Sequence, residues 1–197
     1  GQVAWSPDST QILYGILDST RRRPAGFFRV NVDGGEPEAI EFPDITERFI
    51  DTWITLSPDG SRVAVQADND GATYRQIYIA NADGSSAVPL TETTPSGLPY
   101  DRLAWSPDGQ QTLLSVLSGY SGEPEPILLG DADGLNAQPL VTPPPNYIDS
   151  VAWSPDGTQI VFLAAELQSD GVPDGEVYVV NADGSYRLGA PRDAGAF

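Results

Sequence analysis

Short apolar runs of three to six residues alternate along this chain with polar clusters rich in Pro, Asp, Asn and Gly. One stretch reads Val151-Ala152-Trp153, then Gln159 to Leu163, then Glu176 to Val180, then a weak run near Tyr186 to Leu188. An earlier stretch gives Ile54 to Leu56, Arg62 to Gln66, Gln76 to Ala80 and Ala87 to Leu90. The runs favour Val, Ile, Leu, Tyr and Phe and are too short for helices, so the pattern predicts strands.

The polar punctuation repeats. Ser-Pro-Asp occurs at residues 6–8, 57–59, 106–108 and 154–156, preceded by Trp5, Leu56, Trp105 and Trp153. Asp-Gly follows at 33–34, 83–84, 133–134 and 183–184, a constant step of 50 residues. In Ser-Pro-Asp-Gly, Pro presets φ at the second position of a type I turn, Ser suits the first, and Gly supplies the left-handed residue after it. Asn81 to Gly84 and Asn181 to Gly184 read the same way. Each turn predicts an antiparallel hairpin. Each unit is then a four-stranded meander, strands A to D, with two apolar faces that cannot stand alone. Repeats of this length and strand count predict an all-β fold, a β-propeller of four four-stranded antiparallel blades. A sandwich would not produce the constant step. The blades are expected at about residues 1–43, 51–92, 101–142 and 149–190 of one propeller domain spanning 1–197.

Composition narrows the chemistry. The 20 Gly and 18 Pro make up about a fifth of the chain, against roughly 12% on average, which supports many turns. Acidic residues number 28 and basic residues 10, for a net charge of −18; every basic residue is Arg. There is no His, Cys, Met or Lys. Ser–His–Asp and Cys–His catalysis, ordinary zinc sites, disulfides and lysine Schiff bases are therefore excluded. The charge repels nucleic acid and anionic membrane surfaces. No apolar run approaches the roughly 20 residues of a membrane helix. The chain opens on Gly1 without a signal-type segment, as expected of a processed form or a cut piece. Strand A of unit one starts almost at once, and Gly189 to Phe197 begins a connection that no further unit follows. The expectation is part of a larger propeller; a closed four-bladed ring and a dimer of two half-propellers are the alternatives.

The motifs resemble the TolB-like β-propeller repeat. Trp153 to Gly157, Ile160 to Phe162, Val177-Tyr178-Val179 and Asp183-Gly184 carry the likeness, as do Ile77-Tyr78, Asp83-Gly84 and Leu90-Thr91. Both markers appear four times in order, over essentially the whole chain. Departures are Leu56 in place of Trp, with Trp53 three residues earlier, Ser9 in place of Gly, and no Ile-Tyr pair in units one and three. The resemblance implies a propeller of the kind found in periplasmic assembly proteins, bacterial surface proteins, some lyases and the non-catalytic domains of prolyl-oligopeptidase-like enzymes. The lyases need His or Lys, which are missing here. The peptidases carry their chemistry in a separate hydrolase domain, and no Gly-x-Ser-x-Gly elbow occurs in this chain.

Strand alternation puts the A–B and C–D turns on one face. The opposite face receives the dissimilar B–C loops (18–26, 68–74, 118–126, 166–175) and the D–A connections (42–51, 91–101, 141–149). Variable loops on a rigid scaffold are where binding residues collect. Asp51, Asp101 and Asp149 end the connections and stand at the entrances of strand A. They read either as a ring of carboxylates at the channel mouth suited to Ca²⁺ or as turn caps. No other cofactor is expected. Asp68-Asn69-Asp70-Gly71 lacks the remaining calcium ligands and reads as a hairpin loop. Arg21, Arg22 and Arg23, the sole basic cluster, suit an acidic peptide or a carboxylate, or are a solvated loop. Trp5, Trp105 and Trp153 end strand A and are expected between blades. Trp53, out of register with them, is expected to be more exposed and a candidate for ligand stacking. Tyr120 is a candidate rim contact, and Tyr100 and Tyr147, beside Asp101 and Asp149, are candidate ligand or partner contacts. The resulting expectation is a non-enzymatic, extracytoplasmic binding or scaffold propeller with protein or peptide partners, and self-association or further blades at its ends. The alternative is the propeller domain of a larger enzyme; a carboxylate glycosidase has no acid pair that stands out.

Overall fold

Each Ser-Pro-Asp turn is closed by the same set of bonds. The backbone N–H of residue four donates to the Ser carbonyl at 2.8–2.9 Å in all four turns. The Ser hydroxyl donates to the Asp carboxylate at 2.6 Å. That hydroxyl also accepts the N–H of Gln11, Arg62, Gln111 or Gln159, five residues on. The carboxylate in turn takes the N–H two residues beyond it at 3.0 Å. Gly60, Gly109 and Gly157 adopt φ near +70°, the left-handed region the sequence predicts; Ser9 adopts φ +60° and makes the same bond.

The structure, a computed structural model, describes residues 3–18, 23–45, 49–68, 75–90, 100–116, 126–142, 147–167 and 173–187. Blade 1 comprises β1 (Val3–Trp5), β2 (Gln11–Asp18), β3 (Arg23–Asn31) and β4 (Glu38–Ile40). Blade 2 comprises β5 (Phe49–Leu56), β6 (Arg62–Asp68), β7 (Arg75–Asn81) and β8 (Val88–Pro89). Blade 3 comprises β9 (Tyr100–Trp105), β10 (Gln111–Val116), β11 (Ile127–Asp131) and β12 (Gln138–Val141). Blade 4 comprises β13 (Tyr147–Trp153), β14 (Gln159–Leu167), β15 (Pro173–Asn181) and β16 (Tyr186–Arg187). Each blade is a meander with its strands in sequence order and antiparallel. The all-β, four-bladed propeller architecture is thus as the repeats predict.

Strand A is longer than its apolar run. In β9 and β13 it reaches back across a β-bulge: Arg102 pairs with Ser115 and Tyr100 with Val116, and likewise Ser150 with Leu163 and Ile148 with Ala164. The extra residues at these bulges are Asp101 and Asp149. A bulge leaves one residue out of the ladder, a role that suits Asp better than a mid-strand position.

The cores lie between blades. One cluster joins blades 1 and 2 through Leu13, Phe27, Ile40, Phe42, Val63, Val65 and Tyr78. A second joins blades 2 and 3 through Trp53, Ala64, Ile77, Leu103, Trp105 and Leu114. A third joins blades 3 and 4 through Leu113, Ile127, Ile148, Ile160 and Phe162. Among the described residues no such cluster joins blade 4 to blade 1. Alternate residues of each strand serve opposite neighbours, as period-two side chains must. Ala64 faces blade 3 while Val63 and Val65 face blade 1.

Turn glycines are the second inter-blade device. A Cβ on Gly60, Gly109 or Gly157 would sit 3.2–3.7 Å from the turn proline of the preceding blade (Pro7, Pro58 or Pro107). A Cβ on Gly84, Gly134 or Gly184 would run into the end of the preceding blade's strand D, at Glu41, Leu90 or Leu140. At Gly84 and Gly184 the obstacle is a backbone carbonyl, so only hydrogen fits there; at Gly134 it is the end of the Leu90 side chain. Polar contacts follow the same seams: Trp153 Nε1 donates to Ala104 O at 3.3 Å, and Arg102 Nη1 to Gln66 Oε1 at 3.3 Å.

Candidate interaction surfaces

The turn face is acidic, yet the carboxylates of its four Ser-Pro-Asp turns, and those of Asp83 and Asp183, are committed to structure. Asp59 and Asp156 are held down to about 2, first by the Ser57 and Ser154 hydroxyls and then by the backbone N–H of Ser61 and Thr158. Asp8 and Asp108 are lowered in the same way, first by the Ser6 and Ser106 hydroxyls. Asp83 and Asp183, in the C–D turns, are lowered first by the Ser85 and Ser185 hydroxyls. A carboxyl whose folded pKa is depressed stabilises the fold above its unfolded value, about 4. That contribution drains as the pH falls toward the folded value. The urea midpoint should therefore decline between about pH 4 and pH 2. The paired substitutions Asp59→Asn and Asp156→Asn should make that decline shallower; an unchanged acid slope would show that these turns do not titrate with folding.

Two grooves open on this face. One, of about 320 Å³, lies between blades 2 and 3 with Ile79, Val88, Leu90 and Leu135 on its apolar side and Arg62 and Asp133 at its margin. Arg62 Nη1 is anchored on the Ala132 carbonyl at 3.3 Å, which also accepts Trp105 Nε1 at 3.0 Å. The other, of about 350 Å³, lies between the turns of blades 3 and 4 against Trp153, Asp108 and Asp156. Neither brings together a pair of carboxylates free of turn bonds. Among the described residues no three acidic side chains converge to hold a metal.

The two end blades each leave an apolar face outward. Registers place Val3 opposite Tyr14, Trp5 opposite Ile12, Tyr14 opposite Phe28 and Ile12 opposite Val30, so these residues share one face of blade 1. Val3 is 70% exposed and Trp5 58%. Tyr14 and Phe28 stack on that face with ring centroids 5.9 Å apart. On blade 4, Ala152 pairs with Val161, Val161 with Val179, and Leu163 with Val177. Val177 and Ala152 are exposed.

Comparison with known proteins agrees with this architecture. A putative TolB from Agrobacterium tumefaciens superposes with a TM-score of 0.66 at 22% identity over 93% of this chain and 58% of its own. TolB from Acinetobacter baumannii gives 0.68 at 22% over 95% and 42%. The fold is that of a TolB-like β-propeller. An oligogalacturonate lyase in complex with manganese shares the fold too, with a TM-score of 0.68 at 20% identity over 98% of this chain and 53% of the lyase. The chain spans about half the length of these structures. No protein-family model matches it, and no curated protein matches it in sequence.

Within the TolB-like frame the sequence-predicted residues divide. Trp53 is a correction: it is 5% exposed, not surface-lying, because strand alternation turns it toward blade 3 beside Ala64, Ile77 and Ile79. Tyr100, a candidate ligand or partner contact, is likewise buried in that core, at 4%. Trp105 and Trp153 pack on the preceding blade as expected. Trp5 does not, since its face looks away from blade 2. Asp131 to Gly134 is a turn, with Gly134 N donating to Asp131 O at 2.8 Å. Asp51 lies inside β5, as Asp101 and Asp149 lie inside β9 and β13; on none of the three, nor on Arg23 and Tyr147, are the side chains among those described. Arg21, Arg22 and Tyr120 lie outside the described residues. The Ca²⁺ reading and the arginine reading both fall there. Sequence reasoning missed the grooves on the turn face. It treated that face as architecture because its turns are alike, whereas the grooves come from the gaps between blades.

Proposed function

We propose that this chain is a non-enzymatic binding or scaffold propeller, working outside the cytoplasm and engaging a protein or peptide through the face of dissimilar loops. One observation carries the reading. The carboxylates of the four Ser-Pro-Asp turns are tied up by serine hydroxyls and backbone N–H groups. The sheets and turns repeat a fixed frame, and what differs between blades is left to the opposite loops. Arg21, Arg22 and Tyr120 belong to those loops, Arg23 begins β3 beside them, and together they give the chain its basic and aromatic contacts for an acidic partner.

The test is a display of random peptides against the intact chain. Binders should be enriched in acidic sequences, and a variant with Arg21, Arg22 and Arg23 all changed to Ala should lose them while melting at the same temperature. Binding indifferent to these loop changes would overturn the loop-face assignment. Turnover of oligogalacturonates with added Mn²⁺, or of peptide substrates, would overturn the non-enzymatic one.

A further inference from the structure

The geometry points to the groove between blades 2 and 3 as a binding site for a small zwitterion, an α-amino acid with an apolar side chain. The groove is where the chain departs most from its own repeat. Five residues after each turn serine stand Gln11, Arg62, Gln111 and Gln159, so blade 2 alone has a cation there. Directly after each Asp-Gly stand Gly35, Ser85, Leu135 and Ser185, so blade 3 alone has a large apolar side chain there. Ile79 and Val88 pair across β7 and β8; at the same positions blade 1 has Arg29 and Glu38, an ion pair at 2.9 Å. Arg62, Leu135, Ile79 and Val88 all line the one groove.

Each departure changes what the groove offers. Ser85 and Ser185 donate their hydroxyls to Asp83 and Asp183 at 2.6 Å. Leu135 has no hydroxyl to donate. Among the described residues Asp133 therefore accepts only the Leu135 N–H, at 3.1 Å, and keeps lone pairs for another donor. Arg62 spends one N–H on the Ala132 carbonyl at 3.3 Å, which anchors the guanidinium at the margin of the groove. No carboxylate pairs with it among the described residues, Asp133 included. Of the apolar lining, Ile79 and Leu90 are buried while Val88 and Leu135 are exposed.

These groups set the chemistry of the ligand. A carboxylate suits Arg62, whose planar guanidinium offers paired N–H donors. An ammonium suits Asp133. An apolar side chain takes Val88 and Leu135 out of water. Charge decides that all three belong to one molecule. The chain's net −18 opposes a simple anion, and Arg62 opposes a simple cation at the same groove. A zwitterion meets both groups and adds no net charge. The volume of about 320 Å³ lies at the small end of ligand sites, roughly 300–1,000 Å³, and suits a single amino acid. The groove opens on the turn face, so this site is independent of the role proposed for the opposite loops.

Amide NMR shifts of the isotope-labelled whole chain test this, with leucine and phenylalanine as ligands and three truncated probes. Glycine lacks the side chain, isocaproate the ammonium and isoamylamine the carboxylate. Leucine or phenylalanine should shift the amides of Ala80, Asn81, Ser86 and Leu135, which line or adjoin the groove. Each truncated probe should bind about tenfold more weakly, or worse. Arg62→Gln and Leu135→Ser install the residues of other blades, so each should melt as the unaltered chain does and weaken binding about tenfold or more. The comparison of probes on the unaltered chain needs no variant. No shifts with either amino acid would overturn the proposal, as would equal binding of any truncated probe or undiminished binding by Arg62→Gln. Tighter binding of an N-acetylated peptide ending in leucine would also overturn it, and would make the groove a dock for a protein C-terminus.

Discussion

Gly84→Ala lowers the unfolding free energy by about 3 kcal/mol or more, and the melting temperature by about 6–12 °C for a chain of this size. Two costs add. Gly84 has φ +88°, a region that charges an L-residue about 1–2 kcal/mol. A methyl group there would also occupy the position of the Glu41 carbonyl at the end of blade 1's strand D. That obstacle is backbone, so relief requires blades 1 and 2 to move apart across a core of Phe27, Ile40, Val63 and Tyr78. Gly34→Ala separates the two terms. Its φ is +97°, but nothing lies within 4 Å, so only the conformational cost of about 1–2 kcal/mol applies. Urea unfolding of the two variants side by side is the measurement. Equal losses would mean that the inter-blade contact at Gly84 contributes nothing.

Phe27→Ala is the second large effect, about 3–5 kcal/mol. Phe27 is 1% exposed and sits edge-on to Phe42 with centroids 5.7 Å apart. Leu13 and Ile40 belong to the same cluster. These residues come from β2, from β4 and from the segment leading toward blade 2, so a cavity there has no flexible wall to collapse. Its neighbour Phe28 points the other way, onto the outward face, and stacks on Tyr14. Phe28→Ala should cost about 1 kcal/mol in the isolated chain, the worth of an aromatic pair on a half-covered surface. Chemical denaturation at low protein concentration checks both. A Phe28 loss as large as that of Phe27 would mean that the outward face is covered in this chain.

The repeat was legible because its chemistry is local. Ser-Pro-Asp-Gly closes a turn through atoms no more than five residues apart, so the residues that specify it are adjacent in sequence. The same holds for the strands, whose alternation needs only period-two side chains. Ser9 shows how far that goes: the turn forms without its glycine, because the serine–aspartate bonds hold the backbone at φ +60°. Exposure was harder to read. Trp53 looked displaced from the other tryptophans, and Trp5 looked equivalent to them. Yet Trp53 is in the core and Trp5 is in water. The local sequence around each is the same kind of strand; what differs is whether a blade stands opposite.

The sequence alone determined the four-stranded repeat unit, the strand order within it and the turn chemistry. All are set by bonds and periodicities within one unit. The tertiary structure decided which apolar residues are core and which are surface, where the grooves open, and why Gly84 admits no side chain while Gly34 has room. The physical reason is common to all of these. A blade has two apolar faces of similar composition, and burial depends on a neighbour about 50 residues away, not on the residues beside it in the chain.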